Sequence, residues 1–229
     1  MGLPVHGFAD AVVALPLGTR RKRPVIVATH GNYDRPDWQC DVWHKIVGPR
    51  AFVLCLRGTP RPDSPSPEDT RYWYLSNLAL EHELDAAVVA LQARFPDYVD
   101  RDRPLYTGFS LGAIMGVSIA ERAPSRYPRL VLIEGGHEKW TPKSAAAYAR
   151  GGGERVLFVC AQTWTANEAM VAARKLDRAG VATRVVHGPD VGHTYDGPTA
   201  EEIKRNLDWV LDGDPRWDMA DGAGEDPED

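Results

Sequence analysis

Short apolar runs alternate with amphipathic segments along most of this chain, and that alternation limits the fold more than any other feature. Ala11–Leu15, Pro24–Ala28, Ala51–Leu56, Leu105–Thr107, Leu130–Ile133, Val156–Cys160 and Thr183–Val186 read as strands. Most are continuous apolar runs rather than in/out alternations, the pattern of strands covered on both faces of a parallel sheet. Between them, Leu80, Leu84, Ala87, Val88, Leu91 and Phe95 recur at helical spacing, as do Ile203, Leu207, Val210 and Leu211. Thr199 with Glu202, and Thr165 with Glu168, have the spacing of helix-starting capping boxes. Strands and helices in this order predict an α/β fold, with a mostly parallel central sheet and helices on both faces. Right-handed crossovers then bring the C-terminal ends of the strands to one edge, where ligands bind.

Residues 1–211 are expected to form one domain, and 229 residues suffice for a sizeable core. Arg57–Tyr74 carries Pro60, Pro62, Pro65 and Pro67 and then Tyr72, Trp73 and Tyr74. It reads as a long loop, a lid or site wall in one interpretation and an aromatic-anchored surface loop in the other. Residues 212–229, rich in Asp, Glu and Gly, read as a disordered acidic tail that Trp217 could dock locally. The run Arg20–Arg23 reads as a solvated turn, and a net charge of −5 gives no footprint for a nucleic-acid partner. No stretch is apolar enough to span a bilayer, and no secretory leader is visible, although a leader already removed stays open. Cys55 and Cys160 sit in apolar runs, while Cys40 follows a loop and is the one expected to be exposed. Three cysteines make no disulfide framework and lean towards a reducing, cytoplasmic setting.

The strongest local signal is Gly108-Phe109-Ser110-Leu111-Gly112, set between the strand at Pro104–Thr107 and a helix over Leu111–Arg122. A nucleophilic serine needs a sharp strand-to-helix turn that lifts its hydroxyl above the sheet, with small residues around it and a helix N-terminus near developing negative charge. The alternative is a glycine-rich turn with Ser110 as a helix N-cap. A serine hydroxyl also needs a base. His193, in Val191-Gly192-His193-Thr194-Tyr195 after the last strand, is the candidate. His30, His137 and His187 are its competitors, His187 as a satisfied core residue and His137 as a site-lining one.

With His30-Gly31-Asn32-Tyr33 after the second apolar run, the chain resembles the α/β-hydrolase superfamily, nearest its small carboxylesterase, acyl-protein-thioesterase and dienelactone-hydrolase-like branches. The resemblance spans roughly Pro24–Leu211 and rests on His30-Gly31, the Ser110 elbow and Gly192-His193. It implies an acyl-enzyme mechanism on a small-molecule ester or thioester, with no cofactor. It also implies that the backbone amides of Asn32 and Leu111 form the oxyanion hole. Tyr33 could donate in place of Asn32 or line the acyl pocket, and Trp164 is a further candidate for substrate contact. Trp38, Trp43, Tyr72, Trp73 and Tyr74 are either pocket walls or core. No metal-ligand spacing such as H-E-x-x-H or paired C-x-x-C occurs.

The family's usual acid follows the penultimate strand, where this chain has Thr163 and Trp164 instead of an aspartate. Glu134 ends the run Leu130–Ile133, and a carboxylate at a buried strand end needs a partner. Some members of the family place the acid there. Glu168, a loop-structuring Asp190 or Asp196, and a dyad without an acid remain alternatives. Peptide or polyester cleavage, acyl transfer, and a non-catalytic ligand-binding protein on the same fold are the rival functions.

Overall fold

The structure, a computed structural model, describes residues 1–18 and 20–218. Its strands are β1 (Gly2–Leu3), β2 (Ala11–Ala14), β3 (Arg23–Thr29), β4 (Phe52–Cys55), β5 (Thr59–Pro60), β6 (Tyr72–Trp73), β7 (Val99–Phe109), β8 (Arg129–Ile133), β9 (Arg155–Cys160) and β10 (Ala182–His187). Its α-helices are α1 (Pro36–Val47), α2 (Asn77–Arg94), α3 (Leu111–Arg122), α4 (Pro142–Arg150), α5 (Thr163–Ala179) and α6 (Gly197–Leu211). The main sheet has eight strands in the order β1-β2-β4-β3-β7-β8-β9-β10. β1 and β2 are antiparallel additions at one edge, and the rest of the sheet is parallel.

The two faces of the sheet carry separate cores. α2, α3, α4 and α5 cover one, through residues such as Leu84, Val117, Tyr148 and Leu176. α1 and α6 cover the other, where Trp43, Ile46, Ile203 and Leu207 meet Ile26, Val53 and Val131. β3, β4 and β8 are buried along their whole length, which is why they read as unbroken apolar runs. β2 alternates between buried and half-buried positions. β10 is the opposite edge and is largely exposed.

Several expectations change here. α1 lacks a side-chain N-cap and starts on Pro36, whose fixed φ and missing N–H suit a first helical position. It carries Cys40, which is buried rather than exposed, its Sγ against the carbonyls of Val12 and Val53 at 3.6 Å each. Arg23 is not part of a solvated turn: it opens β3, is buried, and donates to the Asp218 carbonyl at 3.1 Å. Neither expected capping box forms. α6 begins at Gly197, two residues before Thr199, which is buried inside its first turn. α5 begins at Thr163, and the Thr165 hydroxyl serves a different acceptor, Glu134. A box does form at α4, where Thr141 and Ser144 cap each other's backbone amides.

Arg57–Tyr74 is not an irregular loop throughout. β5 and β6 pair as a small antiparallel hairpin, and Asp34 bridges to Tyr72 beside it. Residues 212–218 continue past α6 as ordered chain, in which Pro215–Trp217 forms a short 3-10 turn and Trp217 enters the α1/α6 core. Of the expected acidic tail, residues 219–229 lie outside the described residues. Trp217 is buried to the degree of any core residue. Trp217→Ala is therefore expected to lower unfolding free energy by about 3 kcal/mol, the usual scale for deleting a buried tryptophan ring, as read from urea melts.

Candidate active site

The elbow follows from the close packing of β7 and α3. Ser110 sits at φ 49°, ψ −113°, a strained conformation for a residue with a side chain. Such a turn needs space on both sides. A Cβ on Gly112 would stand 2.3 Å from the Thr29 carbonyl oxygen, and one on Gly108 would stand 2.5 Å from the Ala113 nitrogen. The Ser110 amide donates to Ile133 O at 2.9 Å, which pins the turn to the end of β8. Tyr106 and Thr29 share a 2.8 Å hydroxyl contact under the elbow, and Tyr106 also donates to Gly112 O at 2.9 Å.

Glu134 leaves β8 at φ 51° and, with Tyr33 and Ser110, is one of three non-glycine residues at this edge with positive φ. Its side chain has no exposed surface. Oε1 accepts from the Ala161 amide at 2.5 Å, the Gln162 amide at 3.2 Å and Thr165 Oγ1 at 2.9 Å. Oε2 accepts from Gln162 Nε2 at 2.6 Å and faces His193 Nδ1 at 3.3 Å. Burial alone pushes this carboxyl up, but the bonds from His193, Gln162, Ala161 and Thr165 outweigh it and hold Glu134 below the ordinary glutamate range.

His193 is positioned by ties on either side. Val191 N–H donates to Ala161 O at 3.2 Å, and Tyr195 OH donates to Asp34 Oδ1 at 3.2 Å. Its ring packs on Phe109, the residue before Ser110, with centroids 4.8 Å apart. With Nδ1 turned to Glu134, Nε2 is the nitrogen left for the cleft. No hydrogen bond joins Ser110 to His193 among the described residues; such bonds are often long in unliganded enzymes and tighten with substrate.

The loop after β3 is tied amide by amide. Gly31 N–H reaches Asp34 Oδ2 at 3.3 Å, while the Tyr33 and Asp34 amides reach Tyr72 O at 3.0 and 3.4 Å. The Tyr33 amide is thus engaged by β6, leaving that of Asn32 as the unengaged one in this loop among the described residues. Arg61 donates to Asn32 Oδ1 at 2.8 Å, fastening the β5–β6 hairpin to the same loop. The Leu111 amide opens α3 and likewise has no acceptor among the described residues.

The competing histidines are placed differently. His30 is buried, stacked on Tyr74 at 4.6 Å, with its ring nitrogens at Gly31 O and Arg57 O. Desolvation pushes its pKa down against those bonds. His187 is exposed at the end of β10 rather than a core residue. Glu168 is exposed on α5 and has no hydrogen bond to His193 among the described residues, and the Thr165 hydroxyl that would have capped with it is turned inward to Glu134. Asp190 accepts from Thr163 at 3.2 Å, and Asp196 pairs with Thr194.

A cleft of about 380 Å³ opens beside His193, lined by Asn32, Tyr33, Trp38, Phe109 and Tyr195 among others. Arg71 lies over the Trp38 ring at 4.3 Å and over Tyr33 at 5.6 Å, while Arg61 lies over Tyr33 and Trp73, so the hairpin backs one wall of this cleft. Trp43 and Tyr74 are core residues. Trp164 is outside this lining: it stands exposed at the start of α5, edge-on to the buried His137 at 6.0 Å. Gln162 and Thr165 had no mark in the sequence as partners of Glu134; only the turn from β9 into α5 brings them there.

No protein-family model matches the sequence, and no curated protein is significantly similar to it. Solved structures do resemble it. A carboxylesterase from Bacillus cereus is 17% identical, with a TM-score of 0.62 over 90% of this chain and 96% of that one. Est1E from Butyrivibrio proteoclasticus is 12% identical, with a TM-score of 0.64 over 92% and 98%. FphF of Staphylococcus aureus, a fluorophosphonate-binding serine hydrolase, is 12% identical with a TM-score of 0.63 over 92% and 96%. The fold is that of the α/β hydrolases.

The lowered Glu134 pKa has a stability consequence. Its ionised form stabilises the fold fully above the ordinary glutamate value of 4.5, and that contribution is lost as pH falls through the lower folded value. Glu134→Gln is expected to be less stable than wild type by about 2 kcal/mol at neutral pH. The gap should narrow progressively as pH falls below 4.5 and through the lower folded value, as measured by urea midpoints across pH.

Proposed function

We propose that this protein is a serine hydrolase that cleaves a carboxylic ester or thioester of a small molecule through an acyl-enzyme on Ser110. The observation that carries the reading is the buried Glu134 carboxylate aimed at His193 Nδ1, on the sheet edge where Ser110 occupies a strained turn. Ser110 Oγ attacks the carbonyl carbon, and His193 Nε2 takes its proton. The tetrahedral oxyanion is held by the Asn32 and Leu111 amides, with the α3 N-terminus adding its dipole. His193 then gives the proton to the departing alcohol or thiol, and the acyl group stays on Ser110. A water, deprotonated by His193, attacks the acyl carbonyl, and His193 returns that proton to Ser110 Oγ as the acid leaves. Glu134 keeps the Nδ1 proton in place and stabilises the imidazolium formed in each step.

The cleft volume falls within the range of small-molecule sites. Tyr33 lines it, so the ring is read as a substrate wall rather than its amide as an oxyanion donor. Trp164, exposed on the α5 side, is read as a contact for whichever part of the substrate leaves the cleft in that direction. The three cysteines are buried and unpaired, which supports a reducing, cytoplasmic setting. The same machinery would serve peptide or polyester cleavage or transfer to another acceptor. Thr163 and Trp164 in place of an aspartate after β9 are the observation that favours a ligand-binding protein on this fold.

The test is labelling by a fluorophosphonate probe together with turnover of p-nitrophenyl esters from acetate to decanoate. Wild type should label and turn over, and Ser110→Ala should do neither. His193→Ala and Glu134→Gln should lose about a thousandfold or more in kcat, while Glu168→Gln stays near wild type. An unlabelled, inactive wild type would move the binding-protein reading ahead.

A further inference from the structure

The two oxygens of Glu134 have unequal tasks. Oε1 is held by Ala161, the Gln162 backbone and Thr165, which suffice to orient the carboxylate. Oε2 faces His193, yet its shorter bond, 2.6 Å, goes to the Gln162 side chain, and the imidazole stands at 3.3 Å. The two donors converging on Oε2 are themselves 3.5 Å apart. An N–H aimed at the same oxygen competes for the acceptor and repels the proton on the neighbouring nitrogen, most strongly when that ring is charged.

The geometry points to Gln162 as a positioning residue for His193: by sharing Oε2 it keeps the Glu134–imidazole bond long and prevents the buried carboxylate from holding the ring in its protonated form. This rests on reading His193 as the base. A base must give up and regain its proton near the working pH, and an unshared buried carboxylate beside it opposes that. Helix capping does not account for the amide. Gln162 occupies the N-cap position of α5 but makes no side-chain cap hydrogen bond, so changing the side chain removes no cap.

The other titratable groups around His193 are Asp34, Tyr195 and Asp196, which line the same cleft, and Asp190, which accepts from Thr163 at the start of α5. Asp34 is engaged by Gly31, Arg35 and Tyr195, and Asp196 by Thr194. Gln162 is thus the group in direct competition for the oxygen that the ring uses.

The experiment follows the His193 ring protons by NMR across pH, with the resonance assigned by its loss in His193→Gln. Gln162→Met keeps the side-chain length and removes the donor. Gln162→Asn keeps a neutral amide but shortens the side chain so that it withdraws from Oε2, and keeps the inference testable should the first variant unfold. The midpoint of the His193 titration should rise by about half a pH unit in both variants. The acid limb of kcat/KM should move with it. Midpoints at or below wild type in the folded variants would overturn the inference, since a merely structural role would lower stability and kcat without moving the titration. Because the ring is read directly, an unlabelled Ser110 would sink the hydrolase reading while the midpoint still decides whether Gln162 shares the carboxylate.

Discussion

A carboxylate with no exposed surface must be met by donors, and Glu134 draws them from three separate parts of the chain. The Ala161 and Gln162 amides come from the end of β9, Thr165 from the first turn of α5, and the His193 ring from the loop after β10. Removing the charge from water costs several kcal/mol unless such bonds replace hydration. The local courses of β9, α5 and the β10–α6 loop are therefore coupled through one side chain. The same requirement explains why Thr165 does not cap its own helix with Glu168, and why a positive φ is tolerated at residue 134.

The elbow adds a constraint of space rather than charge. Gly112 lies against the Thr29 carbonyl and Gly108 against the first turn of α3, so β3, β7 and α3 approach as closely as backbone allows. Ser110 is bonded through its amide to the last residue of β8, directly before Glu134. Ser110 and Glu134 are thus referenced to the same strand end. Since both residues are strained, the surrounding packing has to over-determine them, and fully buried β3 and β8 supply that rigidity.

The β5–β6 hairpin sets the third side. Its Tyr72 carbonyl takes the Tyr33 and Asp34 amides, and Arg61 holds the Asn32 side chain. Arginines stacked on Tyr33, Trp38 and Trp73 turn a proline-rich stretch into a wall of the cleft. Because those guanidiniums also pair with Asp63 and Asp69, the wall is ordered by neutralised charges rather than by an apolar core of its own.

The sequence by itself determined the layered α/β architecture, the elbow and the Ser110–Glu134–His193 candidates. Strands buried on both faces leave an unmistakable apolar run, and a glycine-flanked serine between strand and helix has a local geometric meaning. It did not reveal α1, α4, the hairpin or the burial of Cys40. α1 starts on a proline without a side-chain cap, and the hairpin's strands are two residues each, too short to show a period. Nor could sequence decide between Glu134 and Glu168. Both stand near plausible positions along the chain, and they differ only in where the backbone aims them. The φ of 51° at Glu134 turns that carboxylate under the β10–α6 loop, whereas α5 turns Glu168 outward to water. That choice, like the sharing of one oxygen by Gln162 and His193, is made by contacts between segments 27 to 59 residues apart, and local pattern carries no record of them.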